Sequence, residues 1–274
     1  NFGGIGHCEK SQRLFYVIIL VNKGIGMILM LLDLKNTTWS QSDYQNFLNE
    51  LDNMGDEKYR TRAEKIVPTS YNLLGISMGT LKTIGKEISQ GNPQSFLQIV
   101  GSENYEVVII EGFVISNLKL SLADFETYCD AYLRKANAWS ICDMVVHFKI
   151  VKQYLPEFLI KIKEYLRSDN FWLQRTGLVF LLKFYNTDEY RDEILQLATE
   201  INSDEYYVQM AQAWLFSAVF PYDQEKIYQI ITENYQSKVS KLTVRRIKSL
   251  RHTTEVEKTK LTSLEKRKKI RTSG

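Results

Sequence analysis

The sequence predicts an all-α protein, a superhelix of paired α-helices, and three observations carry that reading. Apolar residues recur at helical spacing almost without interruption from Trp39 to Leu250. The breaks between these stretches are short and polar, as closely packed antiparallel helices require. Only four prolines and 14 glycines occur in 274 residues, few for a chain built of many short strands and turns.

Each element follows from its own signals. Ser42 to Asn53 reads as a helix stopped by Gly55, and Asp56 caps a second that ends before Pro68. Gly75 marks a loop, and Met78 to Ser89 forms a third helix closed by Gly91. Then come Pro93 to Val100, Tyr105 to Ile115, Ala123 to Lys135, Ala138 to Tyr154 and Pro156 to Arg167. The C-terminal half continues with Phe171 to Tyr185, Glu189 to Ile201, Tyr206 to Phe220, Gln224 to Asn234 and Lys238 to Leu250. Helix starts near 138, 171 and 206 are 33 and 35 residues apart, and each is followed by a more charged helix. Helix pairs at such a period are the signature of an α-solenoid, in which one helix of each pair lines a common surface.

The first 36 residues differ from the rest. Two apolar runs, Leu14 to Val21 and Ile25 to Leu32, flank Asn22, Lys23 and Gly24. A signal peptide would need a small-residue cleavage site, and a lysine and an asparagine in mid-segment make a poor membrane span. Residues 1–36 are therefore expected to be an extension outside the native fold, with translation starting at Met27 or Met30. The working domain is expected to span 37–271.

Composition narrows the partners. Net charge is only +3, yet Lys238 to Arg271 holds 13 Lys and Arg against three Glu. The remainder carries 22 basic and 29 acidic side chains. Such asymmetry points to an anionic partner for the C-terminal region, nucleic acid above all; the alternative is a solvated helix face with a frayed basic tail. Three cysteines, Cys8, Cys129 and Cys142, form no CxxC, and an odd count argues for a reducing cytoplasm over a disulfide framework. The three histidines are scattered, and no spacing matches a zinc site, so no metal is expected.

The candidate chemistry starts at Trp139 and Asp143, four residues apart and so on one helical face. Trp214 and Arg175 lie on later helices that begin at equivalent places in the repeat. A carboxylate between two indoles can stabilise positive charge on a sugar as a glycosidic bond breaks. Tryptophan on a helix is equally at home as a core anchor, and a helix aspartate as a partner of a neighbouring group. Arg175 can bind a phosphate as a fork and Lys183 as a point charge. Eight residues separate them, about 80° of helix rotation, so both can reach one broad face. Arg245 and Arg246 extend the cationic set.

Four segments resemble those of a known family. They are Asn137 to Asp143 (NAWSICD), Asp169 to Thr176 (DNFWLQRT), Tyr207 to Trp214 (YVQMAQAW), and Leu74-Gly75-Ile76 before a helix containing Lys86-Glu87-Ile88. With them the chain, from roughly Trp39 to Lys269, resembles the AlkD-type bacterial DNA glycosylases built of HEAT-like repeats. The resemblance implies an ARM-type superhelix of HEAT-like repeats that acts as a monomer on double-stranded DNA. It implies excision of cationic N3- or N7-alkylated purines without a metal or other cofactor, and without flipping the lesion into a deep pocket. By position, Trp139, Asp143 and Trp214 would surround the deoxyribose, and Arg175 and Lys183 would lie near the backbone.

Three positions depart from the family pattern. Ser77 stands in place of a glutamine, Ser217 in place of an arginine, and Ile66 where a DNA-facing tyrosine is expected. Three functions therefore stand side by side: a glycosylase, a nucleic-acid-binding repeat protein without chemistry, and a protein-interaction scaffold.

Overall fold

The structure, a computed structural model of the chain, describes residues 21–23, 26–28 and 33–267. Among these, fourteen α-helices carry the fold, as the sequence predicts. The only sheet among the described residues is a two-stranded antiparallel ladder of β1 (Val21–Lys23) and β2 (Gly26–Ile28). No helix among the described residues is long and apolar enough to cross a membrane. The expected extension lies largely outside the described residues. Its last residues do not: Leu34 is fully buried and Lys35 pairs with Glu87 at 3.1 Å.

The chain divides into two compact units. The first comprises 33–63 and 73–114 of the described residues, with α1 (Gln41–Met54), α2 (Glu57–Glu64), α3 (Met78–Ser89), α4 (Pro93–Ile99) and most of α5 (Tyr105–Asn117). Its core sets Trp39 edge-on to Phe47 and Phe96. Helix α5 is apolar on nearly every side, from Val107 to Ile110 and again at Phe113 and Val114, as a helix through a core must be. A buried carboxylate on this helix, Glu106, accepts the N–H groups of Leu74, Gly75 and Ile76 at 3.0, 2.8 and 3.3 Å. Only glycine fits that loop: Gly75 has φ +87°, and a Cβ there would lie 2.2 Å from Asp56 O.

The second unit comprises 64–72 and the chain from 115 onward. After α6 (Leu122–Leu133), four helix pairs follow. Their first members are α7 (Trp139–Cys142) with two 3₁₀ segments (Asp143–His147, Lys149–Gln153), then α9 (Phe171–Phe184), α11 (Tyr206–Val219) and α13 (Lys238–Ser249). Their second members are α8 (Leu155–Leu166), α10 (Arg191–Glu200), α12 (Gln224–Glu233) and α14 (Glu255–Arg267). First helices pack on first helices: α7 on α9, α9 on α11, α11 on α13. Second helices are tied by polar bridges: Lys163 to Glu193, Lys226 to Asp192, Gln224 to Glu257. The partners are 30, 34 and 33 residues apart, so the repeat seen in the sequence is a repeat of contacts.

Two elements differ from expectation. The stretch from Ala138 to Tyr154 is not one helix but a single α-turn followed by two 3₁₀ segments. Tyr132 Oη donates to Ile141 O at 3.0 Å, and so competes for the carbonyl that an α-helix would offer to the N–H of Val145. Helix α14 stands where a frayed tail was the alternative. Its signal is a capping box: Thr254 N donates to Glu257 Oε2 and Glu257 N to Thr254 Oγ1. Leu261 anchors it, fully buried.

A chain beginning at Met30 keeps Leu34 and should melt at the temperature of the full chain. Leu34→Ala should lose about 2–5 kcal/mol in urea unfolding, the range for emptying a buried leucine site. Equal midpoints for Leu34→Ala and wild type would show that the segment does not pack.

Candidate active site

Every element of the candidate site lies in the second unit. Asp143 is the first residue of the 3₁₀ segment that follows α7. Arg175 sits in the second turn of α9, whose start is capped by Asn170 Oδ1 accepting from Trp172 N. Gly177 lets α9 approach α8, since a Cβ there would lie 2.6 Å from Leu166 Cδ2.

The two side chains form a bidentate ion pair. Arg175 Nε donates to Asp143 Oδ1 at 3.0 Å and Nη2 to Oδ2 at 2.8 Å. Arg175 Nη1 donates to Tyr207 O at 2.8 Å, so one guanidinium links three successive repeats. The Arg175 side chain is 2% exposed and that of Asp143 22%. Arg175 is thus the buried partner of the carboxylate and not the surface fork for a phosphate that the sequence predicts. Burial pushes the Asp143 carboxyl above the usual carboxylate value of 3.8, with the Arg175 charge and hydrogen bonds pulling the other way.

The tryptophans take distinct places. Trp214 is half-buried, with the Arg175 guanidinium 5.1 Å from its ring centroid and that of Arg246 at 5.7 Å. Two cations already use its π face. Trp139 is half-buried and donates from Nε1 to Ile66 O at 2.9 Å. That pins the 64–72 loop, which Asn137 also holds through Thr69 and Ser70. Asp143, Arg175 and Trp214 are therefore joined by contacts, whereas the indole N–H of Trp139 is committed to the 64–72 loop.

The cationic candidates other than Arg175 are exposed: Lys183 on α9, Arg245 and Arg246 on α13. Arg246 shares an open cleft with Leu182, Trp214, Tyr222 and His252. Cys142 is no nucleophile, because burial pushes its thiol up to about 12 and its Sγ–H faces Trp172 O at 3.5 Å.

The three departures each have a local role. Ser77 caps α3, its Oγ accepting from Thr80 N at 3.3 Å. Ser217, 3% exposed, donates to Trp214 O at 2.9 Å. Ile66 is 65% exposed while its carbonyl holds Trp139. Sequence reasoning missed Tyr206 and Tyr207 as well as the ring of Trp172. Trp172 and Tyr207 sit 5.2 Å apart beside the ion pair. Their signal was the repeat itself, since Trp139, Trp172 and Tyr207 are 33 and 35 residues apart.

The chain belongs to the DNA alkylation repair enzyme family, whose model matches residues 47–246. A comparison with curated proteins gives no significant match. The matched region contains Trp139, Asp143, Arg175, Lys183, Trp214, Arg245 and Arg246.

Arg175→Ala should destabilise the fold by about 3–5 kcal/mol, since it strands a mostly buried carboxylate. Thermal and urea unfolding measure this, and a change under 1 kcal/mol would show that the pair contributes little. Replacing Lys183, Arg245 and Arg246 by alanine should cost no more than about 1 kcal/mol of stability, the Arg246–Trp214 contact being the main loss. It should shallow the salt dependence of duplex binding by up to about one unit of slope per lost phosphate contact. An unchanged slope would place these side chains away from DNA.

Proposed function

We propose that this protein is a DNA glycosylase that hydrolyses the N-glycosidic bond of cationic N3- or N7-alkylated purines in double-stranded DNA. The observation that carries the reading is Asp143: a carboxylate mostly withdrawn from water, locked by two hydrogen bonds, and linked through Arg175 to Trp214. The DNA alkylation repair family supports the substrate.

The chemistry follows from charge. An N7-alkylguanine carries a positive charge, so its base leaves without being protonated. The C1′–N bond breaks with its electron pair going to the base, which becomes neutral. Positive character passes to C1′ of the sugar. A carboxylate has about four lone-pair sites, and Arg175 occupies two of them. The remaining lone pairs can face the developing cation and accept the proton that water loses as it adds to C1′. Because Asp143 is held before the substrate arrives, little reorganisation is needed at the moment of bond breaking. Lys183, Arg245 and Arg246 hold the phosphate backbone in this reading.

A nucleic-acid-binding protein without chemistry is the second reading. It draws on the same pair, since the Arg175 charge offsets that of Asp143 and the ring of Trp214 already faces two guanidinium groups. Single-turnover release of N7-methylguanine decides between them. Wild type should release free base above the spontaneous rate, and Asp143→Asn should slow it by about 10²-fold or somewhat less, the lower end for electrostatic groups of this kind. Asp143→Asn also leaves Arg175 without an anion, so rates must be compared below the melting temperature of the variant. Equal rates in two folded proteins would remove Asp143 from the mechanism. No release by wild type would leave the binding reading.

The raised pKa of Asp143 gives a pH signature with a definite sign. The ionised carboxylate is the active form, so base release should fall as pH drops through a value above 3.8. Stability should not fall with it on this account. A carboxyl raised by burial favours the folded state most when protonated, and that contribution is lost as pH rises. An acid limb that tracks unfolding, or one absent from wild type and Asp143→Asn alike, would contradict the assignment.

A further inference from the structure

We propose that Trp172, Tyr206 and Tyr207 form a stacking platform for unpaired nucleobases beside Asp143. The protein then binds nucleic acid with locally unpaired nucleotides more tightly than a fully paired duplex. The proposal rests on the nucleic-acid reading above and specifies the form of the substrate.

The rings belong to two successive repeats. Phe171 and Trp172 open α9, and Tyr206 and Tyr207 open α11. Ring centroids lie 4.6 Å apart for Phe171 and Trp172, 5.2 Å for Trp172 and Tyr207, and 5.4 Å for Tyr206 and Tyr207. The patch is therefore continuous. The planes of Trp172 and Tyr207 are inclined by only 31°.

Exposure sets this patch apart from a core cluster. Phe125, Phe148, Phe158 and Phe180 also form a ring cluster, and each is fully buried. Tyr206 by contrast is 49% exposed, and Phe171, Trp172 and Tyr207 are half-buried. The ring of Tyr206 thus carries the cluster out into solvent, next to the residue whose carbonyl holds Arg175.

The patch is fastened to that site through its backbone. Tyr207 O accepts from Arg175 Nη1 at 2.8 Å, and Trp172 O accepts from Cys142 Sγ and from Thr176 Oγ1. Tyr207 and Trp214 are seven residues apart, two turns along one face of α11. A base stacked on the rings would therefore be continuous with the place where Asp143 and Trp214 meet a sugar.

Local charge selects bases over phosphates as the occupant. Asp169, Asp204 and Glu205, all exposed, lie within three residues of the rings in sequence. Carboxylates there disfavour a phosphate, whereas base–aromatic stacking needs only the flat face that every base has. The exposed cations assigned to phosphates, Lys183, Arg245 and Arg246, lie in the C-terminal halves of α9 and α13.

The test uses the full chain and undamaged, labelled DNA of one length in three forms: paired duplex, duplex with a central mismatched bubble, and single-stranded oligo-dT. Anisotropy titrations at fixed salt compare wild type, Tyr206→Ala and Tyr206→Phe. Wild type should bind the bubble at least about fivefold more tightly than the duplex, the effect of one stacked base. Tyr206→Ala should weaken bubble and oligo-dT binding by about five- to a hundredfold and leave duplex binding unchanged. Tyr206→Phe keeps the ring and should behave as wild type. Equal affinity for duplex and bubble would overturn the platform, as would equal loss on all three DNAs in Tyr206→Ala. Release of N7-methylguanine, measured on the same preparations, separates the two proposals. Release without bubble preference leaves the glycosylase standing and removes the platform. Bubble preference without release does the reverse. Failure to bind any of the three DNAs overturns the platform and the nucleic-acid reading together.

Discussion

The second unit is organised around a cation it cannot neutralise. Arginine stays charged at any pH a protein meets, and Arg175 is 1% exposed. Withdrawing such a charge from water costs several kcal/mol. Asp143 offsets that cost through two hydrogen bonds in fork geometry, and Tyr207 O satisfies the third nitrogen. These bonds are directional, unlike the apolar packing of α9 on α11. They fix where the first turn of α11 and the start of the 3₁₀ segment sit relative to α9. Sliding one repeat past the next would strand the guanidinium, so packing between neighbouring helices is set by an ion pair as well as by side-chain shape.

The same pair sets limits on the chemistry. A free carboxylate would attract a sugar cation more strongly than one already neutralised by arginine. A free carboxylate at this depth, however, would tend to protonate, because burial raises its pKa. The charge and hydrogen bonds of Arg175 oppose that rise, at the expense of part of the carboxylate's field. In the proposed reaction the compromise suits a leaving group that needs little help, because an alkylated base is already cationic before its bond breaks and leaves neutral. It would not suit an undamaged purine, whose neutral base requires protonation before it leaves, and neither Arg175 nor an ionised Asp143 can donate that proton.

Most of the helices could be read from the sequence, because apolar spacing and short polar breaks are local signals. Met78 to Ser89 is recovered residue for residue, and the neighbouring helices to within a few positions at each end. The break after Cys142 could not be read. Its cause is Tyr132 Oη reaching Ile141 O from the preceding helix, a contact that no local pattern encodes. Helix α14 is legible in the Thr254 and Glu257 capping box, although its run of basic residues also fits a frayed tail. The aspartate and the tryptophans were found from motif and resemblance. The depth of Arg175 was not, because the Asp169 to Thr176 segment shows an arginine near the start of a helix and says nothing of what faces it. Thr176, Gly177 and Leu178, which complete the turn after it, are small or apolar, and that marks a helix buried on nearly every side there.

How the repeats are joined explains why one face is free for ligand chemistry. The second helices carry the charged bridges from repeat to repeat, at Lys163, Asp192 and Gln224. The interior between first and second helices is filled by phenylalanines such as Phe158 and Phe180. With cohesion supplied at those two places, the opening turns of the first helices need only their backbone carbonyls for structure. Trp172 O and Tyr207 O are spent in this way, on Cys142, Thr176 and Arg175. The rings of the same residues stay half-buried and join those of Phe171 and Tyr206. Replacing a ring there leaves those backbone bonds in place. That separation is what a repeat scaffold needs if its binding face is to be tuned independently of its stability.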